Sequence, residues 1–277
     1  MHRSPTPIVS VSWLKEHLYQ DNLIILNCTI QKVTSNGEDD FKLKFIENSV
    51  FFDIKKEFSE ANVPFPNTML SAKEFEQKAR QLGVNNDSYI VVYDDYGLYS
   101  AARVWWMFKT MGFNNIAVLD GGSIEWIKSG NEVYDEPFKK KVQGDFTANY
   151  IEGLIHNHIP VLQAIEDDSI EVLDARSNDR FLGLTEEPRE GVRSGHIPNS
   201  KSLPYSSLLN NHKLKPINEL NDLFESFSNK KMIFSCGTGI TACVLALGAE
   251  LAGNNNISVY DGSWTEWGSL HELPIEN

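Results

Sequence analysis

The chain repeats itself at a constant spacing of 141 residues. The segment Asp120-Gly-Gly-Ser-Ile-Glu-Trp126 returns as Asp261-Gly-Ser-Trp-Thr-Glu-Trp267, and ten of the thirty-two positions from 95 to 126 are identical at that spacing without a gap. Unrelated segments would not keep one register over such a length, so the chain is interpreted as two copies of one domain. A repeat this long predicts tandem domains rather than the short stacked units of a solenoid.

Each copy has the pattern of a parallel α/β domain. Short apolar runs at 89–93 and 232–235 predict buried strands, and each precedes a helix-like segment that ends at Gly112 or Gly253. Another strand is predicted after each helix, at 116–119 and 257–260. This order predicts an α/β fold of two tandem domains, each a parallel sheet flanked by helices. The predicted N-terminal domain covers 1–135, a linker covers 136–155, and the C-terminal domain covers 156–277.

Composition narrows the classes of function. The chain has 25 basic and 38 acidic side chains, a formal net charge of −13, so its average field repels a nucleic-acid backbone and no nucleic-acid partner is expected. Its three cysteines include no C-x-x-C pair, so neither a disulfide scaffold nor a metal is predicted, and no cofactor is expected. The sequence shows no secretory signal and no membrane span, which predicts a cytoplasmic protein without a membrane partner and leaves a mitochondrial location open.

The two copies differ in the loop that follows their central strand. At the spacing of 141, Asp95 stands where the second copy has Cys236, the first residue of Cys236-Gly-Thr-Gly-Ile-Thr241. A glycine-rich turn lets consecutive backbone N–H groups converge on an anion, and the positive end of the following helix adds to this effect. Both features favour a thiolate over a thiol, so Cys236 is predicted to be a nucleophile.

Other reactive residue types are predicted to be structural. Cys28 follows a strand and Cys243 lies inside an apolar helix, so both are expected to pack in the core. Arg176 is expected to hold its loop to Asp174, and His196 is expected to be structural. The remaining histidines, including His156 and His158, lack partners at the spacing of metal ligands and are predicted to lie on the surface.

The loop at Cys236 and the motif at Asp261 together resemble the tandem-domain sulfurtransferases, which comprise the thiosulfate sulfurtransferases (rhodaneses) and the 3-mercaptopyruvate sulfurtransferases. The resemblance extends almost end to end and includes Leu173-Asp-Ala-Arg-Ser-Asn-Asp-Arg-Phe181, Glu187-Pro-Arg189, Ser194-Gly-His-Ile-Pro-Asn199 and Leu98-Tyr-Ser-Ala-Ala-Arg-Val-Trp-Trp106. It implies two rhodanese-like domains. The first, with Asp95 at the nucleophile position, is expected to be catalytically silent, and the second is expected to form a persulfide on its cysteine.

The resemblance also selects a branch of the family. Rhodaneses carry a C-R-K-G-V-T loop with two cations beside the cysteine, whereas the 3-mercaptopyruvate enzymes carry an uncharged C-G-S-G-V-T loop, and Cys-Gly-Thr-Gly-Ile-Thr here is uncharged. The implied substrate is therefore 3-mercaptopyruvate, a small 2-oxo thiol, and the implied acceptor is cyanide or a thiol such as thioredoxin or glutathione. The predicted catalytic residues are Cys236 and Thr238, and the predicted substrate-binding residues are Arg180, Arg189, Gly237, Gly239, Ile240 and Thr241.

Three rival functions differ in their requirements. A thiosulfate sulfurtransferase would use the same cysteine with a dianionic donor. A sulfur-relay protein would pass persulfide sulfur to a partner protein, for example in tRNA thiolation, and would need a docking surface that the sequence does not reveal. A phosphatase of this fold needs an arginine six residues after the cysteine, where this chain has Ala242, so that reading is disfavoured.

The chain departs from the 3-mercaptopyruvate branch at two positions. Members of that branch often pair a loop serine with a histidine and an aspartate from the first domain. Thr238 retains the hydroxyl, but Thr68 stands at the histidine position and Lys55 at the aspartate position. A relay of the serine–histidine–aspartate kind is therefore not expected here.

Overall fold

The computed structural model describes residues 6–31, 42–139 and 142–277 and divides into two compact units. The first unit consists of the described parts of Met1–Ser59 and Leu70–Tyr150 together with Asn211–Lys213. The second unit consists of Glu60–Met69, Ile151–Asn210 and Leu214–Asn277. The segments Glu60–Met69 and Asn211–Lys213 therefore each belong to a different unit from the residues that flank them in sequence. The repeat does not predict this exchange.

The first unit contains a five-stranded sheet in which all neighbouring strands are parallel. Its strands are β1 (Ile8–Val9), β2 (Leu23–Asn27), β3 (Ser49–Phe51), β4 (Tyr89–Tyr93) and β5 (Ile116–Leu119), in the order β1-β5-β4-β2-β3. Every residue of β4 and β5 is buried, as expected for central strands that are covered on both faces.

The helices of the first unit cover its sheet and are α1 (Val11–His17), α2 (Ala72–Gln81), α3 (Ala101–Thr110) and α4 (Gly122–Lys128). Serine side chains cap α1 and α2. The hydroxyls of Ser10 and Ser71 each accept the N–H of the residue three positions later in the chain. Gly112 follows α3 with a φ of 77°, the left-handed conformation that stops a helix. Phe75 of α2 and Phe108 of α3 belong to a buried cluster of five phenylalanines that contact one another edge to face or stacked, and the other three are Phe52, Phe58 and Phe146.

The second unit repeats this architecture. Its parallel sheet contains β6 (Ile155–His156), β7 (Ile170–Asp174), β8 (Lys201–Ser202), β11 (Lys231–Ser235) and β12 (Ile257–Tyr260), in the order β6-β12-β11-β7-β8. Between β8 and β11 lies a small hairpin of β9 (Leu209–Asn210) and β10 (Lys213–Leu214). The helices are α5 (His158–Ala164), α6 (Asn178–Phe181), α7 (Ile217–Phe224), α8 (Ala242–Leu251) and α9 (Ser263–Ser269). The equivalent strand orders of the two sheets confirm two copies of one α/β fold.

Helix α8 lies at the centre of the second unit. Eight of its residues, from Ala242 to Ala249, are buried, so the helix is apolar on all sides. Gly253 ends it with a φ of 82°, as predicted. No helix in the described residues has the length and apolar character required to cross a bilayer.

The strand ends correct one detail of the predicted alignment. Strands β4 and β11 end one residue before Asp94 and Cys236, respectively. The carbonyl of Asp94 accepts the N–H of Ser123 at 3.2 Å, and that of Cys236 accepts the N–H of Trp264 at 2.9 Å. Asp94 therefore occupies the position equivalent to Cys236, and the prediction of Asp95 was wrong by one residue because the loop of the first copy is one residue longer.

The carboxylate of Asp94 fills the turn that follows β4. Its Oδ2 atom accepts three backbone N–H groups and its Oδ1 atom accepts a fourth, all at 2.8–2.9 Å, and the donors are Tyr99, Ser100, Ala101 and Tyr96. Asp94 itself is fully buried. The first copy thus supplies its own anion to the N terminus of α3.

Replacing Asp94 with alanine is expected to destabilise the first unit by about 3–5 kcal/mol, because four N–H groups, two of them buried and two partly buried, lose their acceptor at once. Urea denaturation followed by tryptophan fluorescence measures the loss. The exposed Asp87 provides a control, since Asp87→Ala changes the net charge equally and is expected to alter stability by less than about 0.5 kcal/mol. An equal midpoint for Asp94→Ala and Asp87→Ala would contradict the role of the carboxylate.

Candidate active site

Cys236 lies between the central strand β11 and the start of α8, and only 2 % of its surface is exposed. The hydroxyl oxygen of Ser263 accepts the N–H groups of Cys236 and Gly239 at 3.1 Å each and lies 3.9 Å from the Cys236 sulfur. Ser263 belongs to the repeated Asp-Gly motif and was not among the predicted site residues. It fixes the beginning and the middle of the loop that carries the sulfur.

Backbone N–H groups at the start of α8 are available to an anion. Ile240, Thr241 and Ala242 are equivalent to the three residues whose N–H groups bind one oxygen of Asp94 in the first copy. Within the described residues, none of these three N–H groups has a hydrogen-bond acceptor. The second copy thus has the same turn with a sulfur atom at the strand end instead of a carboxylate.

Arg180, in α6, lies against the same loop. A Cβ atom placed on Gly237 would be 3.3 Å from Nη2 and 3.8 Å from Nη1 of Arg180, so glycine leaves the space that the guanidinium occupies. Burial lowers the pKa of Arg180, but its hydrogen bond to Glu187 and the negative charges of Glu187 and Cys236 act in the opposite direction, and the pKa is raised. The Arg180 side chain remains 27 % exposed, so the cation is accessible from outside.

A chain of buried charges holds Arg180 in place. Glu187 binds Nη2 and Nε of Arg180 at 2.5 and 3.1 Å, and the same carboxylate binds Arg176 at 2.9 Å. Arg176 in turn makes a forked contact with Asp174 at the end of β7 and stacks over the ring of Trp264 at 4.3 Å. The predicted link between Arg176 and Asp174 is confirmed, whereas the role of Glu187 was missed although it lies in the quoted Glu-Pro-Arg segment.

The structure does not bring every predicted residue to the cysteine. Arg189 is exposed, and among the described residues its side chain has no hydrogen-bond or ion-pair partner. Thr238 is half-buried in the loop, and its hydroxyl accepts the side-chain amide of Asn67 at 3.0 Å. Asn67 was not predicted, because it is 171 residues away in sequence. Thr68 instead donates its hydroxyl to the carbonyl of Phe65.

The other cysteines and the histidines have structural surroundings. Cys28 and Cys243 are fully buried and donate to backbone carbonyls, which confirms their packing role, and burial raises the pKa of Cys28. His196 stacks on Phe181, as a structural residue would. The surface prediction for His156 and His158 was wrong. Burial lowers the pKa of the half-buried His156, and His158 contacts the buried Glu266 at 2.8 Å.

Comparisons with known proteins identify the family. The sequence model of the rhodanese-like domain family matches residues 10–129 and 160–270 of this chain. Thiosulfate/3-mercaptopyruvate sulfurtransferase 1 of Arabidopsis thaliana is 35 % identical over 98 % of this chain and 78 % of its own length. The 3-mercaptopyruvate sulfurtransferase of Escherichia coli K12 is 33 % identical over 99 % of both chains.

A solved structure agrees with these relatives. The crystal structure of SseA, a 3-mercaptopyruvate sulfotransferase of Escherichia coli, superposes with a TM-score of 0.82 at 30 % identity and covers 94 % of this chain and 99 % of its own. The fold, the duplicated domain and the near-complete coverage all lead to one assignment. The chain belongs to the tandem rhodanese-domain sulfurtransferases and is an enzyme similar to their 3-mercaptopyruvate branch.

Proposed function

We propose that the chain transfers sulfur from 3-mercaptopyruvate to a thiol or cyanide through a persulfide on Cys236 and releases pyruvate. The observation that carries this proposal is the surroundings of Cys236. A buried sulfur lies at the end of a central strand, beside the cation of Arg180 and next to three backbone N–H groups without acceptors among the described residues. Such a site favours a sulfur anion both before and after the transfer.

The first half-reaction would load sulfur onto the enzyme. The Cys236 thiolate attacks the substrate's thiol sulfur, an S–S bond forms, and the C–S bond breaks. The electron pair of that bond passes to carbon, which leaves as the enolate of pyruvate and takes up one proton to become pyruvate. The enzyme retains the outer sulfur, which carries the original thiol hydrogen or has lost it as a proton, and the N–H groups of residues 240–242 stabilise its negative charge.

The second half-reaction would regenerate the cysteine. An acceptor thiolate attacks the outer sulfur, the S–S bond of the enzyme breaks, and Cys236 leaves as the thiolate. The product is the persulfide of the acceptor, or thiocyanate when cyanide is the acceptor. No external oxidant is required, because the substrate carbon takes up the two electrons that the sulfur gives up in the first half-reaction, and the outer sulfur keeps its oxidation level in the second. The kinetics are expected to be ping-pong.

Arg180 is proposed to bind the carboxylate and carbonyl of the 2-oxo acid, because a guanidinium forms paired hydrogen bonds with planar oxygen groups. Two of its nitrogens contact Glu187, and Nη1 has no hydrogen-bond partner among the described residues. The exposed Arg189 is proposed to close on the same substrate. Thr238 is proposed to act as a hydrogen-bond donor near the reacting sulfur.

The uncharged loop favours 3-mercaptopyruvate over thiosulfate. A side chain on Gly237 would crowd Arg180 at 3.3 Å, so this loop has no room for an arginine at that position without moving the cation. A dianionic donor would therefore meet fewer positive charges than in a loop with two cations. A thiol such as thioredoxin or glutathione is proposed as acceptor, and a cytoplasmic location stays a prediction.

Parallel initial rates with the two donors test this choice. With cyanide as a common acceptor, kcat/KM is expected to be at least about tenfold higher for 3-mercaptopyruvate than for thiosulfate. The dianionic thiosulfate would lack an ionic contact in this uncharged loop, and one such contact is worth more than about 1.4 kcal/mol. Higher kcat/KM with thiosulfate would assign the chain to the rhodanese branch. A low rate with every small acceptor but rapid transfer to a protein cysteine would support a sulfur-relay role instead.

A further inference from the structure

Asn67 lies near the end of the segment Glu60–Met69, which is packed within the second unit. The N–H of Met69 donates to the carboxylate of Asp261 at 2.8 Å, and the N–H of Glu60 donates to the carbonyl of Thr68 at 2.9 Å. Asn67 is 7 % exposed and has a φ of 62°, a left-handed conformation that asparagine tolerates better than most residues. The segment thus holds one amide side chain in a defined position.

The amide of Asn67 determines the direction of the Thr238 hydrogen bond. Its Nδ2 atom donates to the Thr238 hydroxyl oxygen at 3.0 Å. An amide NH₂ group can donate hydrogen bonds but cannot accept them, and it does not take up a proton at any pH at which the protein is folded. The Thr238 hydroxyl is therefore the acceptor in this contact, and its own hydrogen is directed to another group.

We propose that Asn67 is a positioning residue that makes Thr238 a hydrogen-bond donor to the negative charge that develops on the substrate when its C–S bond breaks. The inference rests on the proposed sulfur transfer at Cys236. Thr238 is a candidate for this role because it is two residues after Cys236 in the same loop. A histidine or carboxylate partner would accept the hydroxyl hydrogen and turn the threonine into a proton relay. The amide excludes that mode, and Thr238 stabilises charge without losing its proton.

Asn67→Asp is the most direct test, because it replaces the amide NH₂ group with an oxygen and so reverses the direction of the hydrogen bond to Thr238. An ionised carboxylate accepts the hydroxyl hydrogen of Thr238 and withdraws it from the substrate. At pH 8 we expect kcat for pyruvate release to fall about 10²- to 10³-fold, the range found for the loss of one transition-state donor. The ratio of variant to wild-type kcat is expected to recover as the pH falls toward the pKa of the new carboxyl group, about 3.9 for an exposed aspartate and higher for a buried one, because the protonated group can donate again.

Two further variants separate this effect from a structural one. In a Thr238→Val background, Asn67→Asp is expected to lower kcat by less than about twofold, because the two residues act as one unit. Asn67→Gly keeps the left-handed backbone, removes the amide, and is expected to give a smaller loss that does not vary with pH. Thr68→Val is the matched control, since it removes a neighbouring hydroxyl that binds only Phe65 in the described hydrogen bonds, and should leave kcat unchanged.

The outcomes are distinct from those that would overturn the sulfur transfer itself. If wild-type protein releases pyruvate and Cys236→Ser does not, the transfer stands and the Asn67 variants are informative. A pH-independent ratio for Asn67→Asp, or an equal loss in the presence and absence of the Thr238 hydroxyl, would then refute the positioning role. Thermal unfolding of each variant identifies any that fails to fold. If Asn67→Asp is such a variant, Asn67→Gly takes its place in the comparison with Thr238→Val.

Discussion

Cys236→Ser is expected to abolish pyruvate release from 3-mercaptopyruvate, lowering kcat by at least about 10⁴-fold. Serine keeps the size and the backbone contacts of the residue, including the N–H bond to Ser263. In the part of the chain that the structure describes, no base contacts this position to deprotonate a hydroxyl, and a hydroxyl cannot carry sulfur in a reversible S–S bond. The measurement is the initial rate of pyruvate formation, coupled to reduction by NADH and lactate dehydrogenase, at a saturating acceptor concentration.

Cys28→Ala is the control for this prediction. Cys28 is fully buried in the first unit and donates only to the carbonyl of Tyr93 among the described contacts. Its removal is expected to leave kcat within about twofold of wild type and to cost about 1 kcal/mol of stability. Substantial pyruvate release by Cys236→Ser, or its loss in Cys28→Ala at unchanged stability, would assign the chemistry to a different residue.

Arg180→Ala is expected to lower kcat/KM for 3-mercaptopyruvate by about 10²- to 10³-fold, which corresponds to about 3–4 kcal/mol of transition-state binding. The reason is twofold. The substrate loses its planar cationic partner, and Glu187 is left with one arginine instead of two in a site where its side chain is 4 % exposed. Arg180→Lys keeps the charge but not the fork and is expected to recover less than about a tenth of the loss.

The matched control changes charge without changing the site. Lys73→Ala removes one positive charge from an exposed position in α2 of the first unit and is expected to leave kcat/KM unchanged. Steady-state kinetics over a range of 3-mercaptopyruvate concentrations measures both variants. If Arg180→Ala and Lys73→Ala reduce kcat/KM by similar factors, Arg180 acts through the net charge and does not bind the substrate.

The local charge at the site has a structural explanation. The formal net charge of −13 opposes an anionic substrate, and a buried carboxylate, Glu187, lies beside Arg180, the cation proposed to bind it. Glu187 nevertheless fixes the guanidinium of Arg180 in one orientation and shares its charge with Arg176, so it orders the cation without fully neutralising it. A single oriented cation and backbone N–H groups suit a monoanionic 2-oxo acid.

The sequence predicted the architecture because the relevant signals are local. The two copies share strand and helix lengths, and the glycines at 112 and 253 end their helices where expected. Cys236 could be proposed as the nucleophile from sequence because it combines a strand end, glycines and a helix start in six consecutive residues. The gapless alignment failed at Asp94, since one extra loop residue shifts the register without disturbing the identities that follow.

The missed residues depend on contacts that no local pattern encodes. Asn67 reaches Thr238 only because the segment Glu60–Met69 packs within the second unit. Glu187 could have been suspected as a carboxylate between two arginines of one motif, but sequence spacing cannot show that both bind the same oxygens. Ser263 belongs to the repeated motif, but the residues that are identical in the two copies are the aspartate, the first glycine, the glutamate and the tryptophan. The serine has no identical counterpart in the first copy, so the repeat did not mark it.

Mass spectrometry of the protein after brief exposure to 3-mercaptopyruvate without acceptor tests the central claim most directly. The peptide that contains Cys236 is expected to gain the mass of one sulfur atom in proportion to the pyruvate released, and to lose it when cyanide is added. One peptide carries both Cys236 and Cys243, because no lysine, arginine or aromatic residue lies between them, and its fragment ions are expected to place the sulfur on Cys236. Cys243 and the peptide that contains Cys28 are expected to stay unmodified, because both thiols are fully buried. Pyruvate release with an unmodified Cys236, or sulfur on either of the other cysteines, would contradict the account.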